Sequence, residues 1–586
     1  MEFSSMLHIP KSSYAYALNK NELVVWFRTK KGDCENVKIN YCDPFEWYEK
    51  SPVIKSELMK KQYETEFHDY FKITLFSKTR RIKYVFRVSD NLTTYEFGSK
   101  ECILVENSEK NNKSRNFVAF SNYFNFPYIN EEDIYVTPSW SKNTIWYQIF
   151  PDRFANKDNP VELSWNSTNN VTNNQIYGGN IKGIIDKIPY LKDLGISGIY
   201  FTPLFYAGQV HKYDTIDYYK IDPQFGNNED FRELVLQCHK NGIKVMLDIV
   251  FNHCGDLHPM FQDVLENGTK SKYADCFCYI DETKKELYID GKINYHTFAF
   301  TPHMPKLNQN NPIMREYLLD VASFWIKEYD VDGYRLDVSN EVSHHFWKDF
   351  NKTCKSLKKD FFILGENWDN SSPWIANDQM DAVMNYEFYY PLIEYFCTDG
   401  LQEKINSETF VYLLNNLITS YTYTTLNSMY NLVGSHDTPR IKFKCGENEE
   451  IVKLVYVFMF FFTGSPNIYY GDELGLSGSG DPDNRRCMNW DLVGNDFYLF
   501  IKKLIKIRQE NNDLSYVDIE WIDYKNEKNY IVCKKNSIYL IINNNNEKIT
   551  IDTKTISGTY ENIYTNKEVT IGDSLKLNAY SFLLFR

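Results

Sequence analysis

The chain has 586 residues, of which 43% are hydrophobic and 24% charged, so it is neither a single small module nor a fibrous or disordered protein. With 65 Lys and Arg against 78 Asp and Glu, the net charge is −13, which argues against a nucleic acid or a membrane as partner. The 45 Tyr, 40 Phe and 11 Trp make up 16% of the residues. Most such rings fill cores, and the others are flat surfaces on which sugars or bases can stack.

Three features bear on the cellular compartment. The first residues, MEFSSMLHIPKSSYAY, do not join a basic region to an apolar stretch, so we expect no secretory signal and a cytoplasmic protein. The longest apolar run, 454–462, is too short to cross a bilayer and predicts a buried helix. The 12 Cys show neither a repeating frame nor zinc spacing, which indicates free thiols in a reducing compartment.

The first part of the chain predicts a β-sandwich. Alternating apolar and polar residues occur over 22–30, 70–78 and 81–90, and polar turns separate these runs. The alternation weakens in a polar stretch at 107–116, and the rhythm changes near Trp140. We therefore place an N-terminal β-sandwich domain at residues 1–136.

From residue 144 onward, apolar strands alternate with amphipathic helices, which predicts parallel strands with helical crossovers. Eight strands are expected, starting near 144, 196, 244, 333, 362, 381, 430 and 467. Eight is the number that closes an α/β fold of the (β/α)8 TIM-barrel type. An open doubly wound sheet is the competing fold, but no Gly-rich phosphate fingerprint follows the first strand.

The boundaries of the barrel follow from the same pattern. We place the catalytic barrel at 137–512, with an inserted subdomain at about 254–311, because the connection after strand 3 is too long for a plain loop. After the last barrel helix the alternation of period two returns. This predicts a C-terminal β-sandwich at 513–586.

Active sites of such barrels lie at the C-terminal ends of the strands. In this sequence, polar residues follow four predicted strands: Asp248, Asn252, His253, Arg335, Asp337, Glu366, His436 and Asp437. A lone acid at a strand end is usually a helix cap or loop anchor. Three or more acids with an arginine and two histidines are better explained by a catalytic site.

The predicted surroundings of two carboxylates differ. Arg335 and Asp337 are two apart on a strand and share a face, so the guanidinium is expected to keep Asp337 ionised, as a nucleophile requires. Glu366 follows the apolar FFILG and stands beside Trp368, surroundings that raise a pKa and suit a general acid. One charged and one protonated carboxyl are what glycosidic cleavage needs. Asp437 could stabilise the oxocarbenium-like transition state.

Six segments resemble the α-amylase family of glycoside hydrolases: GISGIYFTP (195–203), DIVFNH (248–253), MPKLN (304–308), GYRLDVSNE (333–341), LGEN (364–367) and NLVGSHDT (431–438). They occur in the family's order, and MPKLN is typical of the branch that contains neopullulanase, cyclomaltodextrinase and maltogenic amylase. That branch has the three-domain organisation predicted above, so the resemblance covers essentially the whole chain.

The resemblance implies roles for individual residues. Asp337 would be the nucleophile, Glu366 the general acid/base and Asp437 the transition-state stabiliser of a retaining mechanism, with the two catalytic carboxyls about 5–5.5 Å apart. The residues implied to hold the sugar at the cleavage point are Tyr213, His253, Arg335, His436, Asp481 and Arg485. Those implied to shape the leaving-group side are Asn340, Glu341, Trp368 and Phe298.

The branch also implies a partner and a metal. Its N-terminal domain covers the active site of a second subunit, so a homodimer is expected, with Phe45 of CDPFEW (42–47) in the covering loop. No cofactor is required. Calcium is possible at Asn156, Asp158, Gly178 and Asn180, although Val161 and Glu162 stand where further ligands are expected and a carboxylate is replaced by Asn180.

The function predicted from the sequence is therefore hydrolysis of α-1,4-glucosidic bonds in cyclodextrins, pullulan and maltodextrins. Transglycosylation, in which another sugar captures the glycosyl intermediate, is an alternative that uses the same motifs. A non-catalytic amylase-like glycan-binding protein is a further alternative. It predicts the loss of a catalytic carboxylate, and all three are present.

Overall fold

The computed structural model describes residues 1–45, 54–90, 92–105, 119–158, 165, 171–375, 378–397 and 404–586. The chain forms two compact units, one of residues 1–136 with 406–424 and one of residues 137–405 with 425–586.

The first unit contains two antiparallel sheets. In order across it, the four-stranded sheet is Ala15–Ala17, Glu22–Lys30, His68–Phe76 and Lys60–Glu64. The other sheet is Lys55–Leu58, Asn36–Cys42, Ile82–Ser89, Thr94–Phe97 and Cys102–Leu104, with Phe124–Phe126 also paired to Ile82–Ser89. Alternate residues of facing strands, such as Val25, Phe27, Ile39 and Phe86, are buried in one apolar core, which confirms the predicted sandwich.

The first unit also contains the helix Ser407–Ser420, which the sequence places within the barrel segment 137–512. The Asn415 side chain donates to the Glu64 carbonyl at 2.8 Å, and the Lys72 ammonium lies 4.4 Å from the Tyr423 ring centroid. The amphipathic pattern of a helix reveals that one face is covered but not which sheet covers it. The grouping of this helix therefore depends on contacts that sequence periodicity does not encode.

The second unit is built on eight parallel strands. In chain order they are Trp146–Ile149, Gly198–Phe201, Lys244–Ile249, Gly333–Leu336, Phe362–Gly365, Ala382–Val383, Tyr430–Asn431 and Ser465–Tyr469, referred to below as barrel strands 1 to 8. Consecutive strands pair in parallel from 1 to 6, strand 8 pairs with strands 1 and 7, and a single bridge between Met384 and Tyr430 joins strands 6 and 7. The sheet thus closes into the predicted barrel, and the open sheet is excluded.

Helices follow most barrel strands. They are Pro151–Phe154, Ile181–Asp186, Ile188–Leu194, Asn228–Lys240, Pro312–Tyr329, His344–Leu357, Tyr386–Phe396, Tyr423–Ser428, Ile441–Lys444, Glu449–Phe461 and Asp496–Glu510. Between strands 5 and 6, no helix lies among the described residues. The connection after strand 3 contains the helix Pro259–Asn267 and the strand pair Tyr288–Ile289 with Lys292–Ile293. A two-stranded sheet, Phe205–Ala207 with Thr215–Ile221, follows strand 2.

The chain ends in a further antiparallel region. One sheet has the order Glu520–Asp523, Tyr530–Lys535, Ile538–Asn543, Ser581–Phe585, Gly558–Asn562 and Lys567–Ile571, and Ile549–Asp552 pairs with Ser574–Leu577. Its core includes Val532, Ile541, Ile551 and Phe585. All 12 cysteines are free thiols. Across the described residues, no helix combines the length and apolarity needed to span a bilayer.

Candidate active site

Arg335 stands at the centre of the carboxylate cluster at the C-terminal ends of the barrel strands. Its side chain is fully buried on strand 4, Gly333–Leu336. Nη1 lies 2.7 Å from Asp337 Oδ1 and 3.0 Å from Asp248 Oδ2, and Nη2 lies 2.9 Å from Glu366 Oε1. One guanidinium therefore ion-pairs with carboxyls from the exits of strands 3, 4 and 5.

Several opposing effects set the pKa of Asp337 in this cluster. Burial raises the pKa of Asp337, the carboxyls of Glu366 and Asp248 raise it further, and Arg335 opposes both effects. Burial also raises the pKa of Asp248, to about 6. Asp337 and Asp248 contact the same guanidinium nitrogen, so the two carboxyls titrate as a pair. The prediction considered Arg335 alone, which lowers the pKa of Asp337, whereas burial and the two neighbouring acids act in the opposite direction.

Glu366 is held through both oxygens of its carboxyl. The backbone N–H of Val338 donates to Oε2 at 2.9 Å, and the indole N–H of Trp368 donates to Oε1 at 3.0 Å. Val338 has φ 46° and ψ 44°, a left-handed conformation that costs a β-branched residue about 1–3 kcal/mol. Trp368 stacks on Tyr386 with ring centroids 4.1 Å apart. These contacts fix the direction of the Glu366 carboxyl.

Tyr213 and His436 lie on the other side of Asp248. The Tyr213 hydroxyl donates to Asp248 Oδ2 at 3.0 Å and lies 2.5 Å from His436 Nε2. The side-chain amide of Gln148, on strand 1, lies 2.7 Å from His436 Nδ1. Burial lowers the pKa of His436, and the positive charge of Arg485 lowers it further, so the imidazole is neutral at pH 7.

Asp437, Asp481 and Arg485 form a second ion-pair group beside His436. Arg485 Nη1 lies 2.9 Å from Asp481 Oδ1 and Nη2 lies 3.6 Å from Asp437 Oδ1. The Asp437 side chain is 28% exposed, whereas those of Asp337 and Glu366 are 8% and 9% exposed. Asp437 is thus the most accessible of the three acids.

His253 and Phe298 form a stacked pair, with ring centroids 4.9 Å apart and planes within 16°. Burial lowers the pKa of His253 to about 3, so the ring is neutral. Among the described residues, its buried Nε2 has no hydrogen-bond partner. An unpaired buried nitrogen is costly unless a ligand pairs with it, and a sugar hydroxyl has the required chemistry.

The remaining residues implied by the resemblance lie in different surroundings. Asn340 and Glu341 are exposed just after strand 4, and the Lys306 ammonium donates to the Glu341 carbonyl at 3.0 Å. Phe45 belongs to the first unit, is 54% exposed and has the Arg81 guanidinium 4.6 Å from its ring centroid. Residues 46 and 47 of the expected covering loop lie outside the described residues.

The candidate calcium residues do not fit a metal site that includes Asn180. Its Oδ1 already accepts the backbone N–H groups of Gly183 at 2.7 Å and Lys157 at 3.3 Å, because Asn180 is the N-cap of the helix Ile181–Asp186. Asp158 is exposed, and the Gly178 N–H donates to a neighbouring carboxylate at 3.0 Å. Asn156 and Asn180 add no charge, which weakens any calcium affinity.

Two residues of the site were not singled out from the sequence. Gln148 contacts His436, and Tyr200, on strand 2, donates to Asp248 Oδ2 at 2.6 Å. Gln148 is the one amide in the apolar run TIWYQIF (144–150), and such a polar interruption of a buried strand is a usable signal. Tyr200 lies in an aromatic run typical of a core, so no signal marks it.

The protein has a closed barrel of parallel strands with two carboxyls close together at the strand exits. This combination is typical of a glycoside hydrolase, which is the class of enzyme the site defines. Residues 148–515 match the family described as alpha amylase, catalytic domain, and residues 1–130 match the alpha amylase N-terminal ig-like domain. The chain belongs to the α-amylase family.

Relatives align over nearly the full length. The chain is 41% identical to the maltogenic alpha-amylase of Bacillus acidopullulyticus, over 99% of this chain and 98% of that protein. It is 38% identical to neopullulanase 2 of Thermoactinomyces vulgaris, over 94% of this chain and 92% of that protein. Among solved structures, a cyclomaltodextrinase superposes with a TM-score of 0.89 at 35% identity and covers all of both chains. The family resemblance predicted from the six motifs is confirmed.

Proposed function

We propose that the protein hydrolyses α-1,4-glucosidic bonds of cyclodextrins, pullulan and maltodextrins with retention of anomeric configuration. The observation that carries this proposal is the contact of Asp337 and Glu366 with the same guanidinium, at 2.7 and 2.9 Å. Two carboxyls on one guanidinium fit the short separation of a retaining pair better than the 6.5–9.5 Å needed by an inverting enzyme.

In the proposed reaction, Asp337 attacks the anomeric carbon while Glu366 protonates the glycosidic oxygen of the leaving sugar. The resulting bond joins the sugar to Asp337. Glu366, now ionised, takes a proton from water, and the water oxygen displaces Asp337. Asp437 faces the positive charge that develops on the sugar ring in both steps. Because substrate excludes water from the cluster, the ionised form of Asp337 is expected to depend on Arg335 more strongly in the complex.

The substrate class is supported by the relatives, whose names are maltogenic amylase, cyclomaltodextrinase and neopullulanase. Tyr213 is proposed to stack on the sugar that is cleaved, with Arg335, His253, His436, Asp481 and Arg485 binding its hydroxyls. Trp368 and Phe298 are proposed platforms for the leaving-group side, and Asn340 and Glu341 line that side. A neutral glucan needs no charged groove, which agrees with the acidic balance of the chain.

We also propose a cytoplasmic homodimer. A relative from Bacillus subtilis is named intracellular maltogenic amylase, and the 12 free thiols suit a reducing compartment. The exposed ring of Phe45 is the proposed contribution of one subunit to the active site of the other. Sedimentation at working concentration tests the dimer. A monomer that still prefers cyclodextrin over starch would remove the role of Phe45 as a lid.

The central experiment compares kcat/KM on β-cyclodextrin, pullulan and starch for the wild type and the variants Asp337→Asn and Glu366→Gln. NMR of the first product is expected to show the α-anomer. Asp337→Asn is expected to lower turnover at least about thousandfold, because the nucleophile is lost, while circular dichroism remains unchanged. Unchanged turnover in Asp337→Asn, or a β-anomer as first product, would overturn the proposal. Chromatography with added glucose separates hydrolysis from transfer.

A further inference from the structure

The turn after strand 4 is tied to the Glu366 residue at three points. The Ser339 hydroxyl donates to the Glu366 carbonyl at 2.7 Å, and the Ser339 N–H donates to the same carbonyl at 3.1 Å. The Val338 N–H donates to the carboxyl of Glu366 at 2.9 Å. Two consecutive residues therefore hold both the backbone and the side chain of one acid.

The left-handed conformation of Val338 makes this arrangement possible. With φ 46° the chain turns sharply after Asp337, so that the next two N–H groups face strand 5 instead of continuing the ladder of strand 4. A strained backbone persists only where its surroundings hold it. Here the hydrogen bonds to Glu366 and the indole N–H of Trp347, which donates to the Ser339 carbonyl at 2.9 Å, are the restraints.

The Ser339 hydroxyl is packed with little free space. Ser339 is 0% exposed, and a Cβ added at Gly365 would lie 2.9 Å from its Oγ and 2.3 Å from Met380 Sδ. The glycine just before Glu366 thus leaves room for this hydroxyl. Because this buried hydroxyl is hydrogen-bonded to the Glu366 backbone, the place of the hydroxyl determines the place of that acid.

We propose that Ser339 is a positioning residue for Glu366. It fixes the Glu366 backbone relative to Asp337, so that the carboxyl meets the glycosidic oxygen while Asp337 meets the anomeric carbon. The inference rests on the function proposed above, in which Glu366 is the general acid. It adds to that function a residue with no contact to the sugar, whose effect is confined to proton transfer.

The test uses two substrates that differ in their need for that proton. The leaving sugar of β-cyclodextrin must be protonated by Glu366, whereas the fluoride of α-maltosyl fluoride leaves without a proton from the acid. For Ser339→Ala we expect kcat/KM to fall about tenfold on β-cyclodextrin and less than about threefold on α-maltosyl fluoride.

Ser343→Ala is the matched control. Ser343 lies four residues further along and makes no side-chain capping bond to its helix, so wild-type kinetics on both substrates are expected. Melting temperatures of all variants show whether the protein remains folded. An equal loss on both substrates in Ser339→Ala, or no loss on β-cyclodextrin, overturns the positioning role.

Glu366→Gln separates failure of this inference from failure of the proposed function. The comparison uses kcat/KM, which on α-maltosyl fluoride reports formation of the glycosyl-enzyme and not its later hydrolysis. If Glu366→Gln loses kcat/KM on β-cyclodextrin and keeps it on α-maltosyl fluoride while Ser339→Ala matches the wild type on both, only the role of Ser339 fails. If Glu366→Gln retains full activity on β-cyclodextrin, Glu366 is not the general acid, and the proposed function fails together with the inference.

Discussion

The hydroxyl of Tyr213 lies 2.5 Å from Nε2 of His436, and the planes of the two rings differ by 4°. The same hydroxyl donates to Asp248 at 3.0 Å. Tyr213 comes from the connection after strand 2, His436 follows strand 7 and Asp248 lies on strand 3. A single phenol therefore connects groups that are distant in sequence and fixes the orientation of its own ring.

The contribution of the Tyr213 hydroxyl can be separated from that of its ring. Tyr213→Phe keeps a ring for stacking and loses the hydrogen bonds to Asp248 and His436, so we expect kcat/KM on β-cyclodextrin to fall about tenfold. Tyr213→Ala also loses the stacking surface and is expected to fall about a further tenfold. Steady-state kinetics on both variants measure this. Equal losses would mean that the ring itself contributes nothing to binding.

The acid limb of activity is expected to depend on Asp248. The negative charge of Asp248 raises the pKa of Asp337, which in the proposed mechanism must be ionised to attack. Activity is lost as the pH falls through that pKa. Asp248→Asn removes the charge, lowers the pKa of Asp337 and moves the acid limb of kcat/KM to lower pH by about 0.5–1 unit. A limb that stays in place or moves to higher pH would contradict the coupling of the two acids.

Glu473, after strand 8, makes the stability of the barrel depend on pH. It is fully buried, and the hydroxyls of Tyr147 and Tyr190 donate to its Oε1 at 2.7 and 2.5 Å. Burial raises its pKa from 4.5 to about 7. Between these values the folded state holds a proton that the unfolded state has released, so the contribution of Glu473 to stability is lost as the pH rises to about 7.

The size of this effect is about 3 kcal/mol, and Glu473→Gln removes it because an amide does not titrate. We expect similar melting temperatures for the variant and the wild type at pH 5, and a variant more stable by a few degrees at pH 8.5. Calorimetry at both values measures the difference. The control is Glu561→Gln, since Glu561 is exposed and pairs with Arg586 at 3.0 Å. A difference in melting temperature between variant and wild type that is the same at pH 5 and at pH 8.5 would contradict the raised pKa of Glu473.

Calcium removal is expected to leave the enzyme unchanged. Asn180 Oδ1 already accepts two backbone N–H groups, so the candidate site lacks a free ligand there. After dialysis against EGTA, activity on β-cyclodextrin and the melting temperature are expected to stay within error of a sample with added CaCl2. A bound ion at a hundredfold excess over its Kd would stabilise the fold by about 2.7 kcal/mol. A clear rise in melting temperature with calcium would therefore contradict this prediction.

The sequence predicts the barrel well because each strand is a short apolar run followed by an amphipathic helix. All eight expected starts lie within about two residues of the observed strands. The acids Asp248, Asp337 and Glu366 are also correctly placed together, because exits of adjacent parallel strands meet at one edge. The pKa of Asp337 could not be predicted in the same way, since it also depends on burial and on how many acids share one guanidinium.

Two further features are not encoded in local patterns. The left-handed turn at Val338 contradicts the preference of a β-branched residue, and only contacts with the next strand maintain it. The helix Ser407–Ser420 groups with the N-terminal unit, for example through the hydrogen bond from Asn415 to the Glu64 carbonyl. Both depend on partners that are distant in sequence, and periodicity carries no information on such partners.

Among the described residues, strands 6 and 7 are joined by a single bridge, between Met384 and Tyr430. This junction, the seam of the barrel, is weakly paired. Strands 6 and 7 have two residues each, whereas strands 4 and 5 have four and pair along their length. Local opening costs least where the fewest backbone bonds must break, so amide hydrogens at the seam should exchange soonest. Asp437 follows strand 7 at this seam. Asp337 and Glu366 follow strands 4 and 5, which pair along their length. In the proposed mechanism, Asp437 can thus adjust to a sugar ring as it flattens, while Asp337 and Glu366 keep their spacing.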